Sequence, residues 1–145
     1  MPKRFTIEQA GRLIPRLEAL VRDAMARKAR YEEAERAILS STERIMMMGG
    51  VTVDRASAID ARARRDSAAA QLRDSMEAIE KLGCLLKDLD IGLADFPTLY
   101  RGREAYLCWK LGETAIRFWH GEDEGFAGRK PIDRDFLEHH GGESD

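Results

Sequence analysis

Residues 84–132 read CLLKDLDIGLADFPTLYRGREAYLCWKLGETAIRFWHGEDEGFAGRKPI. Both cysteines, most of the aromatic residues and half of the glycines fall here, after a chain made almost entirely of helix formers. The spacing of apolar positions changes at this point from alternating threes and fours to twos. Glu104 to Leu111 and Thr114 to His120 alternate most clearly and read as strands. Gly112-Glu113 between them fits a two-residue turn with glycine first, the type II′ pattern. That turn would pair Leu111 with Thr114, Trp109 with Ile116, Leu107 with Phe118 and Ala105 with His120 on one apolar face. The other face would pair Tyr106 with Trp119, Cys108 with Arg117 and Lys110 with Ala115, and a longer turn would shift every pair. Cys84 to Asp88 reads as a further short strand and Tyr100 to Arg103 as a turn. Ile91 to Pro97 reads as an irregular or edge segment, because proline cannot donate to a central ladder.

Outward from this β module lie two helical stretches. Thr6 followed by Gln9 makes a capping box for a helix starting at Ile7. Pro15 lacks an N–H, so a short helix over 7–13 and a long one over 15–47 are expected. The long helix carries a seam of Leu17, Leu20, Ala24, Arg27, Tyr31, Ala34, Ile38, Ser41 and Ile45. Met46, Met47 and Met48 end it, Gly49-Gly50 break it, and Asp54 caps a second helix over 55–82. Ala69, Leu72, Met76, Ile79 and Gly83 form the seam of that helix. A short connection makes the pair an antiparallel hairpin in which facing residue numbers sum to roughly 101. Tyr31 then meets Ala69 and Ala70, Leu20 meets Leu82, and Glu32, Glu33 and Glu35 face the neighbourhood of Arg62, Arg64 and Arg65. The expected fold is α+β: a helical hairpin over 1–83, a small antiparallel sheet over 84–132 packed on it, and a partly ordered tail over 133–145 that frays from Gly141.

Composition limits the function. The chain is 43% hydrophobic and 34% charged, with a net charge of −2, so no basic field exists to hold nucleic acid or an anionic membrane. No apolar run is long enough to span a bilayer, and Met1-Pro2-Lys3-Arg4-Phe5 lacks an apolar leader core. Cys84 and Cys108 form no C-x-x-C and no repeated metal spacing. A cytoplasmic protein with reduced thiols is expected.

The stretch KDLDIGLADFPTLYRGREAYLCWKLGETAIRFWHGEDEGFAGRKPI resembles a prokaryotic family known as domain of unknown function 2203. FTIEQAGRLIPRLEALV, with its Leu13-Ile14-Pro15 step, resembles the opening of that family. The resemblance spans almost the whole chain and is most specific over 87–132. It implies a prokaryotic cytoplasmic protein and transfers no catalytic residue.

Several residues have side chains suited to a site. Asp88, Asp90 and Asp95 surround a glycine-containing loop, and with His120 they offer oxygen and imidazole donors. Turn capping is the commoner use of such aspartates, and no ligand spacing supports a metal, so no metal and no cofactor is assigned. Cys108 beside Arg117 would have its thiol activated by the cation, yet no histidine base shares its expected face. His120 is expected to be a hydrogen-bonded structural residue. Tyr106, Arg117 and Trp119 would form an aromatic and cationic patch, open or covered by the GFAGRKPI segment. Arg129, after Gly125-Phe126-Ala127-Gly128, could grip an anion, although a salt bridge to Glu122, Asp123 or Glu124 is the plainer expectation.

No catalytic residue is assigned, and the expected function is a non-enzymatic interaction or assembly protein. Two helices cannot enclose a core, so the distal apolar residues Ile38, Ile45, Met46, Met47, Met48 and Ile59 call for a partner, most simply a second copy in a homodimer. The alternative is an enzyme or a small-molecule or metal-binding module, with its site between the sheet and the GFAGR loop and with Asp88, His120 and Arg129 around it.

Overall fold

The computed structural model describes residues 3–47 and 55–141. It is α+β, with a helix α1 (Ile7–Met47) packed on α2 (Arg55–Lys81), followed by a small antiparallel sheet. The strands are β1 (Leu85–Asp88), β2 (Leu93–Tyr100), β3 (Arg103–Lys110), β4 (Phe118–Gly121) and β5 (Lys130–Pro131), paired in that order. A short helix α3 (Arg134–His139) leads into β6 (His140–Gly141), which pairs with β2. Contacts gather the chain into two compact units: one holds the chain up to Arg22 together with everything from Met76 on, and the other is Asp23–Ser75.

The start of α1 follows its sequence signal. Thr6 Oγ1 accepts from Gln9 N at 3.1 Å, and Gln9 Oε1 accepts from Thr6 N at 2.9 Å. Pro15, expected to divide the helix, lies inside it. Its side is exposed, so the Gly11 carbonyl left without an intrahelical donor can be hydrated.

In the helical unit, Arg65 lies 3.7 Å from Glu35, one contact between the glutamate and arginine stretches expected to face each other. Arg27 Nη1 reaches the Gln71 carbonyl at 2.8 Å and Ser75 Oγ at 2.7 Å. The α2 seam differs from expectation: Ala61, Ala68 and Ser75 are buried, while Met76 is 38% exposed. Small side chains let the two backbones approach, which takes the seam through them and turns the methionine outward. The expected Met48, Gly49-Gly50 break and Asp54 cap lie outside the described residues, as does the Ile45 side chain.

The sheet unit has a large-residue core, with Phe5, Leu17, Val21, Ile79, Phe96, Leu107, Trp109 and Phe136 fully buried. Tyr100 to Arg103 is a tight hairpin turn, as expected; Arg101 (φ 52°) and Gly102 (φ 79°) both take the left-handed conformation of a type I′ turn. Pro97, expected at an edge, is in β2, which has neighbours on both sides. A strand residue points its N and its carbonyl the same way. The Pro97 carbonyl accepts from Phe5 N at 2.7 Å, so its hydrogen-free nitrogen also faces the Phe5 side, in the gap between β1 and β6, and no bond to β3 is lost.

The β3–β4 register is one residue away from expectation: Tyr106 pairs with His120, Leu107 with Trp119 and Cys108 with Phe118. The cause is Glu113. Its carbonyl accepts from Trp109 Nε1 at 2.8 Å, and its carboxylate accepts from Lys110 N at 2.7 Å, which holds the chain in a turn and delays pairing until Phe118. The tail is also more built than expected. Asp133 caps α3 by accepting from Phe136 N at 2.8 Å, and Phe136 is fully buried.

Candidate functional site

The corrected register decides what meets what. Directly paired residues share a face, so Asp95, Tyr106, Cys108, Phe118 and His120 lie together on one side of the sheet. Asp95 on β2 stands opposite Cys108 on β3, and His120 on β4 is one pair further along. All three are buried, with one ligand atom from each lying within 4.8 Å of the others.

His120 Nε2 is 2.9 Å from Asp95 Oδ2, and His120 Nδ1 is 2.8 Å from the Gly121 carbonyl. A carbonyl only accepts, so Nδ1 carries a proton. A second proton must then lie between Nε2 and the carboxylate for that contact to be a hydrogen bond. Consistently, the bond to Asp95 pushes the imidazole pKa above its ordinary value against the opposing effect of burial. Burial, with the Asp95 charge added, pushes the Cys108 thiol up to about 12, while nearby Arg129 works the other way. Cys108 is therefore a neutral thiol at neutral pH and a poor nucleophile. Asp95 Oδ1 is buried and has no nitrogen or oxygen donor, and the Cys108 thiol hydrogen-bonds to the Asp95 carboxylate.

Beside this centre lies an ion pair. Arg129 Nη2 donates to Glu113 Oε1 at 3.0 Å and Oε2 at 2.7 Å, and its guanidinium lies 3.8 Å from the Phe118 ring centre. The acidic run expected to hold Arg129 does not do so; within that run Glu124 pairs with Lys130 instead.

The sequence family described as "Uncharacterized conserved protein (DUF2203)" matches residues 3–132. The chain belongs to this family. No curated protein and no solved structure matches it.

In this DUF2203 chain, the remaining candidates separate. Asp88 is exposed and accepts from Asp90 N at 2.9 Å, a turn-capping use. Arg117 is exposed and is not the neighbour of Cys108. Tyr106 stacks on His120 at 5.3 Å on the buried-centre side, whereas Trp119 is on the opposite face, so no Tyr106–Arg117–Trp119 patch forms. Trp119 packs against Tyr100 at 4.9 Å and Phe136 at 4.7 Å, with Lys130 Nζ at 4.4 Å. A cleft of about 770 Å³ opens on that face, lined by Tyr100, Arg103, Trp119, Glu122 and Glu124 among others. Sequence reasoning placed Glu113 in a turn but missed its contacts with Trp109 and Arg129. It also kept Cys108 and His120 apart, because both depended on the turn length. Among the described residues, no helix is long and apolar enough to cross a membrane.

Proposed function

We propose that this is a non-enzymatic interaction and assembly protein whose helical unit associates with a second copy. The observation that carries the reading is the thinness of that unit's core. Among the described residues of Asp23–Ser75 the buried ones are Ala24, Ala34, Ala61, Ala68 and Ser75, while Leu39, Met46, Met47 and Ile59 are 60%, 76%, 88% and 68% exposed. A hairpin with an alanine core buries too little apolar surface to be comfortable alone. Two of them side by side about a two-fold axis form a four-helix bundle. The inert Cys108 thiol and the doubly engaged His120 ring argue against nucleophilic catalysis. Sedimentation from low to high micromolar concentration is expected to give a dimer, and monomer throughout would defeat the proposal. The cytoplasmic setting expected from the sequence belongs to this reading.

A second reading rests on a separate observation: the buried cluster of Asp95, Cys108 and His120, with one ligand atom from each within 4.8 Å of the others. It makes the sheet unit a binding module for a small ligand. A thermal-shift screen of divalent metals, organic acids and nucleotides tests it, since a ligand that binds the folded state alone raises the melting temperature.

A further inference from the structure

The donors gathered on the buried sheet face have a chemistry of their own. Asp95, Cys108 and His120 come from three adjacent strands, so the backbone holds them in place without any loop. The His120 ring is fixed through Nδ1 by the Gly121 carbonyl, which presents Nε2 to the other two residues. Metal-bound imidazoles are oriented through their second nitrogen in this way. The Asp95 side chain is 3% exposed, and its carboxylate is engaged by His120 Nε2 at 2.9 Å and by the Cys108 thiol. Each of those two contacts holds a proton that a metal ion can replace, and one ligand atom from each of the three residues lies within 4.8 Å of the others.

The donor set chooses between ions. One carboxylate, one thiolate and one neutral imidazole carry two negative charges, which cancel a divalent cation and leave a buried complex neutral. Calcium and magnesium take oxygen ligands, whereas a mixed nitrogen, sulfur and oxygen set suits a borderline-soft ion. We propose that Asp95, Cys108 and His120 form a binding site for a divalent transition-metal ion of the zinc class, held through a carboxylate oxygen, Sγ and Nε2. The proposal rests on the second reading above, that the sheet unit is a binding module, and is independent of assembly through the helices.

Tetrahedral bonds of about 2.0–2.3 Å put ligand atoms roughly 3.3–3.8 Å apart. The Asp95–His120 contact must open from 2.9 Å, and the widest separation must close from at most 4.8 Å. Both changes are on the order of an ångström or less, within the reach of small χ rotations. The metal replaces two protons, one on Sγ and one in the Nε2–carboxylate hydrogen bond. The charges balance: a neutral thiol and a neutral imidazolium–carboxylate pair become a neutral metal complex, and two protons leave to solvent.

The test is a cobalt(II) titration of the chelator-treated full chain. One ion per chain is expected, with intense near-ultraviolet thiolate-to-cobalt absorption, displacement by zinc, and release of about two protons per ion in weak buffer. Cys84→Ser is expected to keep the absorption and Cys108→Ser to lose it. Should Cys108→Ser fail to fold, X-ray absorption of zinc bound to the wild-type chain decides, with one sulfur expected among nitrogen and oxygen neighbours. Absence of stoichiometric binding, a sulfur-free metal environment, or an absorption band that survives Cys108→Ser would overturn the proposal. If an organic acid or nucleotide raises the melting temperature while cobalt and zinc do not, the metal site falls and the binding module stands. If no ligand of any class does so, both fall.

Discussion

Trp109 and Arg129 are both held by Glu113, one through its backbone and the other through its carboxylate. Trp109 is fully buried and donates its indole N–H to the Glu113 carbonyl. Trp109→Ala removes a large buried ring and leaves that carbonyl unmatched, for an expected loss of about 3–5 kcal/mol in urea denaturation. Arg129 and Glu113 are 12% and 21% exposed, so their pair is largely out of water, and the guanidinium also covers Phe118. Removing one partner strands the other's charge, so Arg129→Ala and Glu113→Ala are each expected to cost about 3 kcal/mol, toward the lower end for buried pairs because some exposure remains. The double variant is expected to cost clearly less than the sum, which a double-mutant cycle by denaturation checks. Additive losses would mean that the two side chains act separately. Sequence alone could nominate Arg129, His120 and Cys108 by residue type. It could not nominate Glu113, because a glutamate after Gly112 looks like any exposed turn residue until Trp109 and Arg129 are seen to converge on it.

At the scale of elements, local chemistry was legible where a few neighbouring residues decide the outcome. Thr6 and Gln9 capped α1, and Arg101-Gly102 made the hairpin. The sequence misled where a distant partner intervened. Pro97 is tolerated in a central strand because Phe5, far away in sequence, comes to its carbonyl. The β4 register turned on one glutamate, and a single-residue slip moved Trp119 and His120 to opposite faces from those expected. The short helix α3 was hidden because its docking depends on Phe136 stacking with Tyr100 and Trp119, residues with no sequence proximity to it. Asp135 on α3 accepts from Tyr100 Oη and from the Arg101 guanidinium. Those two hydrogen bonds hold its carboxyl below the ordinary 3.8. A depressed pKa means that the contribution to stability is present above the unfolded value and is lost as pH falls through the folded one. The α3 contact is therefore expected to weaken only below about pH 4, seen as a change in Trp119 fluorescence in a Trp109→Phe background. Asp135→Asn is expected to remove that acid step. A step of the same size in the variant would assign it to another carboxylate.

At the scale of the whole molecule, the two compact units differ in how they reach stability. The sheet unit buries large aromatic and aliphatic side chains and, with them, the polar Asp95, Thr98 and His120. The helical unit buries alanines and exposes leucine, methionine and isoleucine. That asymmetry separates two explanations of the exposed residues. If they are solvated surface, Leu39→Lys with Ile59→Lys should change little, since substitutions at positions already 60% and 68% exposed typically shift stability by about 0.5 kcal/mol or less. If they are the core of a four-helix bundle, each lysine places a charge in an apolar contact, and four such charges meet across a two-fold axis. The double variant is then expected to sediment as a folded monomer at concentrations where the wild type is a dimer, with an apparent dimer dissociation constant raised at least about 100-fold, equivalent to roughly 2.7 kcal/mol. Its circular dichroism should keep the helical signal of the sheet unit and lose thermal stability in the helical unit. A dimer of unchanged affinity would place the contact elsewhere on the chain and remove the alanine-core argument as its cause.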